Sequence, residues 1–429
     1  MSYAGGIIFT RPVTRPVSDA VALTGKLCDN DASINSFFTG GNMKRTLKIA
    51  CFALLAVTLV FALGSCRPKQ AKTADDVIKI GVYEPLTGAN AAGGALELEG
   101  IRLAHELNPT VEVGGKSYRV ELVVADNRSD RVEAANAVQR LLDQDKVNVI
   151  LGTWGSSMAI AGGEVLRDRI PAIGLSCTNP LVTLGNDMYF RVCFIDPFQG
   201  TVMASYAYRD LNARTAVIVQ EITNDYSVGL ARFFVENFQR LSGNPNSILA
   251  TVNYNTGDQD FTAQLTAIRT HNPDVIFAPG NFTESALLIR QARDLGITTP
   301  IIGGDTWETP EFIDVGGDRV EGAVFSSFFA PEFTGTQQAA TFVREYTQRY
   351  NQEPASVTAL GYDGYLVALD AFKRAGSLEP NRLRQAIATT DFTGATGRTI
   401  FDANGDANKG AYLKAVERGR FVFRAFIEP

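Results

Sequence analysis

Histidine is nearly missing from this chain of 429 residues: there are two, His105 and His271. A Ser-His-Asp hydrolase needs a histidine beside its serine, and a histidine-rich metal site needs several. Neither is therefore expected, and no other metal or cofactor site is read from the sequence. A basic excess is missing too. The formal net charge of −6 leaves no electrostatic footprint for nucleic acid. Long apolar runs are absent from the body of the chain, which has no stretch of about 20 such residues to span a bilayer as a helix. What remains is ordinary globular material, 45% hydrophobic and 20% charged, long enough for more than one core.

The exception to this evenness lies near the N-terminus. Met43-Lys44-Arg45 opens a basic start, residues 49–63 are almost wholly apolar, and Gly64-Ser65-Cys66 follows. A basic start, a short apolar core and small residues before a cleavage point make an export signal, here residues 43–65. Leu63-Gly64-Ser65-Cys66 resembles the lipobox of bacterial lipoproteins, which implies a diacylglyceryl group on Cys66; the alternative is a short signal anchor with an incidental cysteine. Two or more acyl chains would anchor stably where one would be marginal. Residues 1–42 show no sustained periodicity, and the expectation is that Met43 is the true start. Residues 66–76 are polar and read as a tether. An exported protein can oxidise cysteines, so Cys177 and Cys193 are a candidate disulfide; two buried thiols are the alternative.

The body alternates strand and helix. Strands are expected at 77–83, 118–125, 147–151 and 170–175, with helices at 95–107, 130–144 and from 158 to 169 between them. Ser129 or Asp130 should cap the second helix. After Asp196-Pro197 the pattern restarts: helix 199–211, strand 215–220, helix 226–241, strand 247–253, helix 259–270, strand 274–278, helix 284–295 and strand 300–303. Helices at 336–350, 355–375 and 381–388 follow. Short strands at 399–401 and 411–416, expected to pair, and 421–427 close the chain. Alternation of this kind predicts α/β architecture with two doubly wound parallel-sheet lobes. Ligands of open α/β sheets sit beyond the carboxyl ends of the strands, so two facing lobes would enclose a cleft.

One stretch carries chemistry. Val149-Ile150-Leu151 ends at Gly152, and Ser156-Ser157 follow, just ahead of a helix that starts at Met158. Hydroxyls, free backbone N–H groups and the positive end of a helix dipole would then converge on one point, which suits an anion. The plainer alternative is that the serines only cap the helix.

Several segments in order resemble one family. Ile80-Gly81-Val82-Tyr83-Glu84-Pro85-Leu86-Thr87-Gly88 is similar to the opening strand and loop of periplasmic leucine/isoleucine/valine-binding proteins. Asp126 matches the acid that ends their second strand. Residues 150–157 resemble their first ligand loop. Ile170-Pro171-Ala172-Ile173 with Cys177-Thr178-Asn179-Pro180 resembles the second, and Phe190-Arg191 follows. Residues 225–230 are similar to their Tyr-Gly motif, with Ser227-Val228 ahead of Gly229. Residues 302–305 and 401–406 fit later motifs. The likeness covers residues 77–429. It implies a type I periplasmic-binding fold with three crossovers near 197, 326 and 408. One lobe would hold residues 77–197 and 327–408, the other 198–326 and 409–429. It also implies an ABC importer's permease as partner, and no catalysis; the lipobox-like residues 63–66 add the expectation of a lipid-anchored, extracytoplasmic location.

Carried over by position, the resemblance puts the ligand's carboxylate on Ser156. Its backbone would be gripped by the Thr178 hydroxyl and the Ser176 carbonyl. Tyr226 would close over the ligand from the second lobe, and Asp305 would pair with its ammonium. Trp154 stands where the family has an aliphatic residue, and Asn281 or Phe282 where it presents tyrosine. The expected ligand is a branched-chain, other apolar or aromatic amino acid, gripped as a zwitterion because burying both charges requires a partner for each. Trp154 would shape an apolar pocket or pack at its rim, and Trp307 would pack in the core. Tyr83 is expected to pack against the first helix, and Asp126 and Arg191 to join segments. Urea or a short amide is the alternative ligand, and a sensor lipoprotein the alternative role.

Overall fold

The computed structural model describes residues 76–429. The expected export signal 43–65, the Cys66 expected to carry lipid, the expected tether as far as residue 75 and the segment 1–42 lie outside the described residues. Among the described residues no helix is long and apolar enough to cross a membrane.

The first lobe is built around β1 (Val77–Glu84). It is followed by α1 (Ala91–Leu107), β2 (Thr110–Val113), β3 (Lys116–Asp126), α2 (Arg131–Arg140), β4 (Val149–Leu151), α3 (Ser156–Leu166), β5 (Ala172–Gly174) and β6 (Tyr189–Arg191). These strands form a six-stranded sheet in the order β2-β3-β1-β4-β5-β6. Val82 pairs with both Val124 and Leu151 in parallel register. Strands covered by helices on both faces are apolar throughout rather than alternating; Val149, Ile150 and Leu151 are all fully buried.

The chain then enters the second lobe through α4 (Asp196–Ser205), β7 (Ala216–Glu221), α5 (Asp225–Ser242), β8 (Ile248–Tyr254), α6 (Thr262–His271), β9 (Val275–Phe277), α7 (Phe282–Asp294), β10 (Ile301–Gly303), α8 (Pro310–Gly316) and β11 (Val324–Ser327). It returns to pack α9 (Gln337–Tyr350), α10 (Ser356–Ala375), α11 (Pro380–Ala388) and the hairpin β12 (Asp391–Gly394)–β13 (Gly397–Ile400) on the first lobe. A last passage delivers β14 (Ala411–Glu417) and β15 (Arg420–Ile427) to the second sheet, whose order is β15-β14-β11-β10-β9-β7-β8. The helix α10 reaches α1 because Gly100 has no side chain: a Cβ there would sit 1.9 Å from the Thr358 carbonyl oxygen.

Three sequence expectations are corrected. The strand near 399–401 does not pair with 411–416; β13 pairs with β12, and β14 pairs antiparallel with β11 and β15. The sheets are mixed, since β2, β14 and β15 run antiparallel to their neighbours. Cys177 and Cys193 are free buried thiols rather than a disulfide. Burial raises both, Cys177 up to about 12, so they stand as protonated apolar groups. Asp130, not Ser129, caps α2 by accepting from the N–H groups of Val132 and Glu133.

Candidate ligand site in the interlobe cleft

A cavity of about 370 Å³ opens at the carboxyl ends of the parallel strands of both sheets. The first lobe contributes Ser156, Ser157 and Met158 from the first turn of α3. Gly155 precedes them, and no side chain caps this helix. The serines therefore do not act as caps, which corrects the plainer alternative above. Ser156 Oγ accepts the Asn179 N–H at 3.1 Å, and Ser157 Oγ accepts the Asp225 N–H at 3.0 Å. The N–H groups of residues 156–158 have no acceptor within the helix, so an anion at this wall meets unpaired donors and the helix dipole.

The second lobe faces this turn with Tyr226, Asp305 and Thr306. Asp305 is 3% exposed. Its Oδ1 accepts from Gln199 Nε2 at 2.6 Å and from Tyr226 Oη at 2.9 Å. Both side-chain donors go to one oxygen, which leaves Oδ2 for another partner. Burial pushes the carboxyl up to about 6, and the Gln199 and Tyr226 bonds hold it back. Glu97 and Asp196, buried nearby, are each pushed up to about 8, first by burial. Glu84 is raised by burial and by Glu97, although it accepts the Trp154 N–H at 2.7 Å. Four buried carboxyls thus surround this end of the cleft. Arg191, whose charge reaches Asp196, is already paired with Asp406 at 2.6 Å. A cationic group entering beside Asp305 would relieve that crowding.

The expected residues divide as follows. Trp154, Ser156, Ser176, Tyr226, Asn281 and Asp305 share the cavity wall. Thr178 and Phe282 do not. Thr178 is fully buried behind the wall, where its hydroxyl offsets part of the rise in Asp196. Phe282 packs edge-on against Trp154, with ring centres 5.9 Å apart. Trp307 is fully buried and stacks on Phe312, so it belongs to the core. Tyr83 is buried and shares a 2.6 Å hydrogen bond with Tyr189, and Asp126 fastens the loop at Leu86 and Thr87.

Several wall residues were not singled out by sequence. Asn90, Arg131, Glu221 and Asn224 line the same cavity. Asn281 Nδ2 bonds Asn90 Oδ1 across the cleft at 3.1 Å, and Arg131 reaches Asp225 at 2.8 Å. The cavity is consequently not a simple apolar slot. Trp154, Met158 and Val132 make one side of it, and amides and hydroxyls make much of the rest.

The periplasmic binding protein family matches residues 77–420. The chain belongs to that family. A leucine-binding protein, LivK, from Thermotoga maritima is 43% identical with a TM-score of 0.79, over 82% of this chain and 99% of that one. The branched-chain amino acid transporter substrate-binding protein LivJ of Streptococcus pneumoniae, solved with isoleucine, is 32% identical with a TM-score of 0.76, over 82% of this chain and all of that one (100%). A Pseudomonas aeruginosa protein named amino acid binding protein is 28% identical over 83% of this chain and 94% of its own length. Members of the family bind solutes outside the cytoplasm for ABC transporters and are not enzymes. The two lobes and the cleft between them are the type I periplasmic-binding fold.

Proposed function

We propose that the protein captures a free α-amino acid between its lobes and hands it to the permease of an ABC importer. One observation carries this reading: the Asp305 carboxyl of the second lobe and the uncapped first turn of α3 in the first lobe share one cavity. A zwitterion satisfies both, its ammonium at Asp305 Oδ2 and its carboxylate at Ser156 and the free N–H groups. Neither lobe holds both halves of the grip, so the ligand favours the closed arrangement and shifts the population toward it. Relatives named for leucine, isoleucine or valine, and the Trp154 and Met158 side of the cavity, support an apolar side chain as a second reading.

The test is a thermal-shift panel of the amino acids, their deaminated acids, their decarboxylated amines, urea and small amides. A ligand that binds only the folded state raises the midpoint. Stabilisation is expected from intact amino acids alone. A rise with urea or an amide, and none with any amino acid, would refute the reading.

The same proposal includes an acylated Cys66 that holds the protein at the outer face of a membrane. Its support is the basic, apolar and small-residue order of residues 43–66. Cys66→Ala should move the protein from the membrane fraction to the soluble one; an unchanged distribution would rule the anchor out.

A further inference from the structure

The amide side chains at the cleft can be oriented one by one, because one end of their chain is fixed by the backbone. Asn224 precedes α5, and its Oδ1 accepts the Tyr226 N–H at 3.1 Å. A backbone N–H cannot turn into an acceptor, so the other Asn224 atom is the nitrogen. That nitrogen donates to Glu221 Oε2 at 3.0 Å and to Asn281 Oδ1 at 3.2 Å. Asn281 must then present its own nitrogen to the next partner, Asn90 Oδ1, at 3.1 Å. The polarity set at the second lobe thus arrives at Asn90 in the first. The Asn90 amide nitrogen is what remains, with no acceptor among the described residues. Asn90 is 5% exposed and lies on the cavity wall. Its side chain does not cap α1 either.

We infer that Asn90 selects the ligand's side chain, and that the selected side chain carries a hydrogen-bond acceptor: a hydroxyl, an amide carbonyl or a carboxylate. This rests on the amino-acid reading of the cleft and deepens it. An aliphatic side chain at this wall strands a buried donor that water would otherwise satisfy, and a site built to donate rejects such an analogue. Trp154 and Met158 cover the stem of the side chain, and Asn90 meets its tip. The consequence departs from the ligands named for the relatives above.

Near-isosteric pairs test the inference by calorimetry on the full chain: asparagine and aspartate against leucine, and threonine against valine. At least one polar member is expected to bind about tenfold tighter or more than its apolar partner, the factor that one buried unpaired donor commands. Apolar members binding equally or better would overturn the inference while leaving the zwitterion grip intact. Binding of no amino acid at all would overturn both. Asn90→Asp keeps an acceptor for Asn281 and exchanges the free donor for an acceptor. It should turn away aspartate, whose side chain only accepts, in favour of threonine or asparagine, which can donate; a urea melt of the unliganded variant checks that it still folds. Asn90→Leu should move the preference toward leucine and valine. Retention of the original preference in both variants would sink the assignment to Asn90.

Discussion

Trp154 fills the space that a side chain at Gly93 would need. A Cβ on Gly93 would lie 2.5 Å from both Cε2 and Nε1 of the indole. Phe282 meets the same ring edge-on. The first turn of α1 and the first ligand loop are therefore fitted to one another: a glycine on one accommodates a large ring on the other. Gly93→Ala should push the indole toward the cavity. Overpacking of this kind costs about 1–3 kcal/mol, and ligand affinity should fall with it. Thermal melts and calorimetry would show both losses, and Gly93→Ala with Trp154→Leu should recover the stability. No recovery in the double variant would mean that the two positions are not coupled.

Acid should weaken ligand binding. An ammonium is paired best by an ionised Asp305, whose carboxyl is raised to about 6 by burial. Affinity should hold above neutral pH and drop by up to about tenfold for each pH unit below 6. The unliganded protein should behave in the opposite sense. Glu97, Asp196 and Asp305 sit at about 8, 8 and 6 in the folded state against ordinary values of 4.5, 3.8 and 3.8. Between those limits the folded chain holds more protons than the unfolded one, so its stability falls as pH rises. Its melting temperature should climb from pH 8 towards pH 5, while the increment given by ligand shrinks. Calorimetric affinities that stay flat between pH 7.5 and pH 5 would remove Asp305 from the ammonium site.

The alternation of strand and helix was legible because buried parallel strands are written as short unbroken apolar runs, as at residues 149–151. The antiparallel hairpin β12–β13 was not, because Asp391, Thr393 and Arg398 carry no apolar period. The start of α1 was hidden by Gly93 and Gly94, poor helix formers kept for close packing. Motifs carried by the strand ends pointed to Ser156 and Asp305, which both line the cavity. None pointed to Asn90, since a lone asparagine in a Gly- and Ala-rich loop says nothing by itself. Its meaning comes from Asn281, 191 residues away in the chain. Thr178 is buried and does not line the cavity, and a one-lobe pattern cannot tell which hydroxyl of a loop faces it.

A latch closes the cleft beside the first turn of α3, where Arg131 also reaches Ser157 Oγ at 3.4 Å. Arg131 of the first lobe meets the Asp225 carboxylate at 2.8 Å and the Thr223 carbonyl at 3.2 Å in the second. The Arg131 side chain is about half exposed, at 49%, so water screens the pair and its contribution is modest. Arg131→Ala should raise the ligand's dissociation rate roughly two- to fivefold, the range of an exposed ion pair. Added salt should narrow the difference between the variant and the parent. Stopped-flow release of ligand would measure it, and equal rates at low salt would deny the latch any part in closure.

A different pair holds the scaffold. Arg191 is fully buried, and its Nε meets Asp406 Oδ1 at 2.6 Å. Its other nitrogens donate to the carbonyls of Cys177 and Asn179 and to Thr183 Oγ1. These partners bind the loop behind Ser176 to the segment that leaves β13 for the second sheet. Asp406→Ala would leave a buried guanidinium without its counter-charge, a loss of about 3–5 kcal/mol. Asp406→Asn keeps an acceptor and gives up only the charge, so it should cost less. Urea melts of the unliganded protein give both values. If Asp406→Ala unfolded at the same urea concentration as the parent, the Arg191 pair would be an ornament of the loop rather than its fastening. The cleft, which depends on where that loop puts Ser176, would have to be positioned by the backbone bonds of β5 and β6 alone.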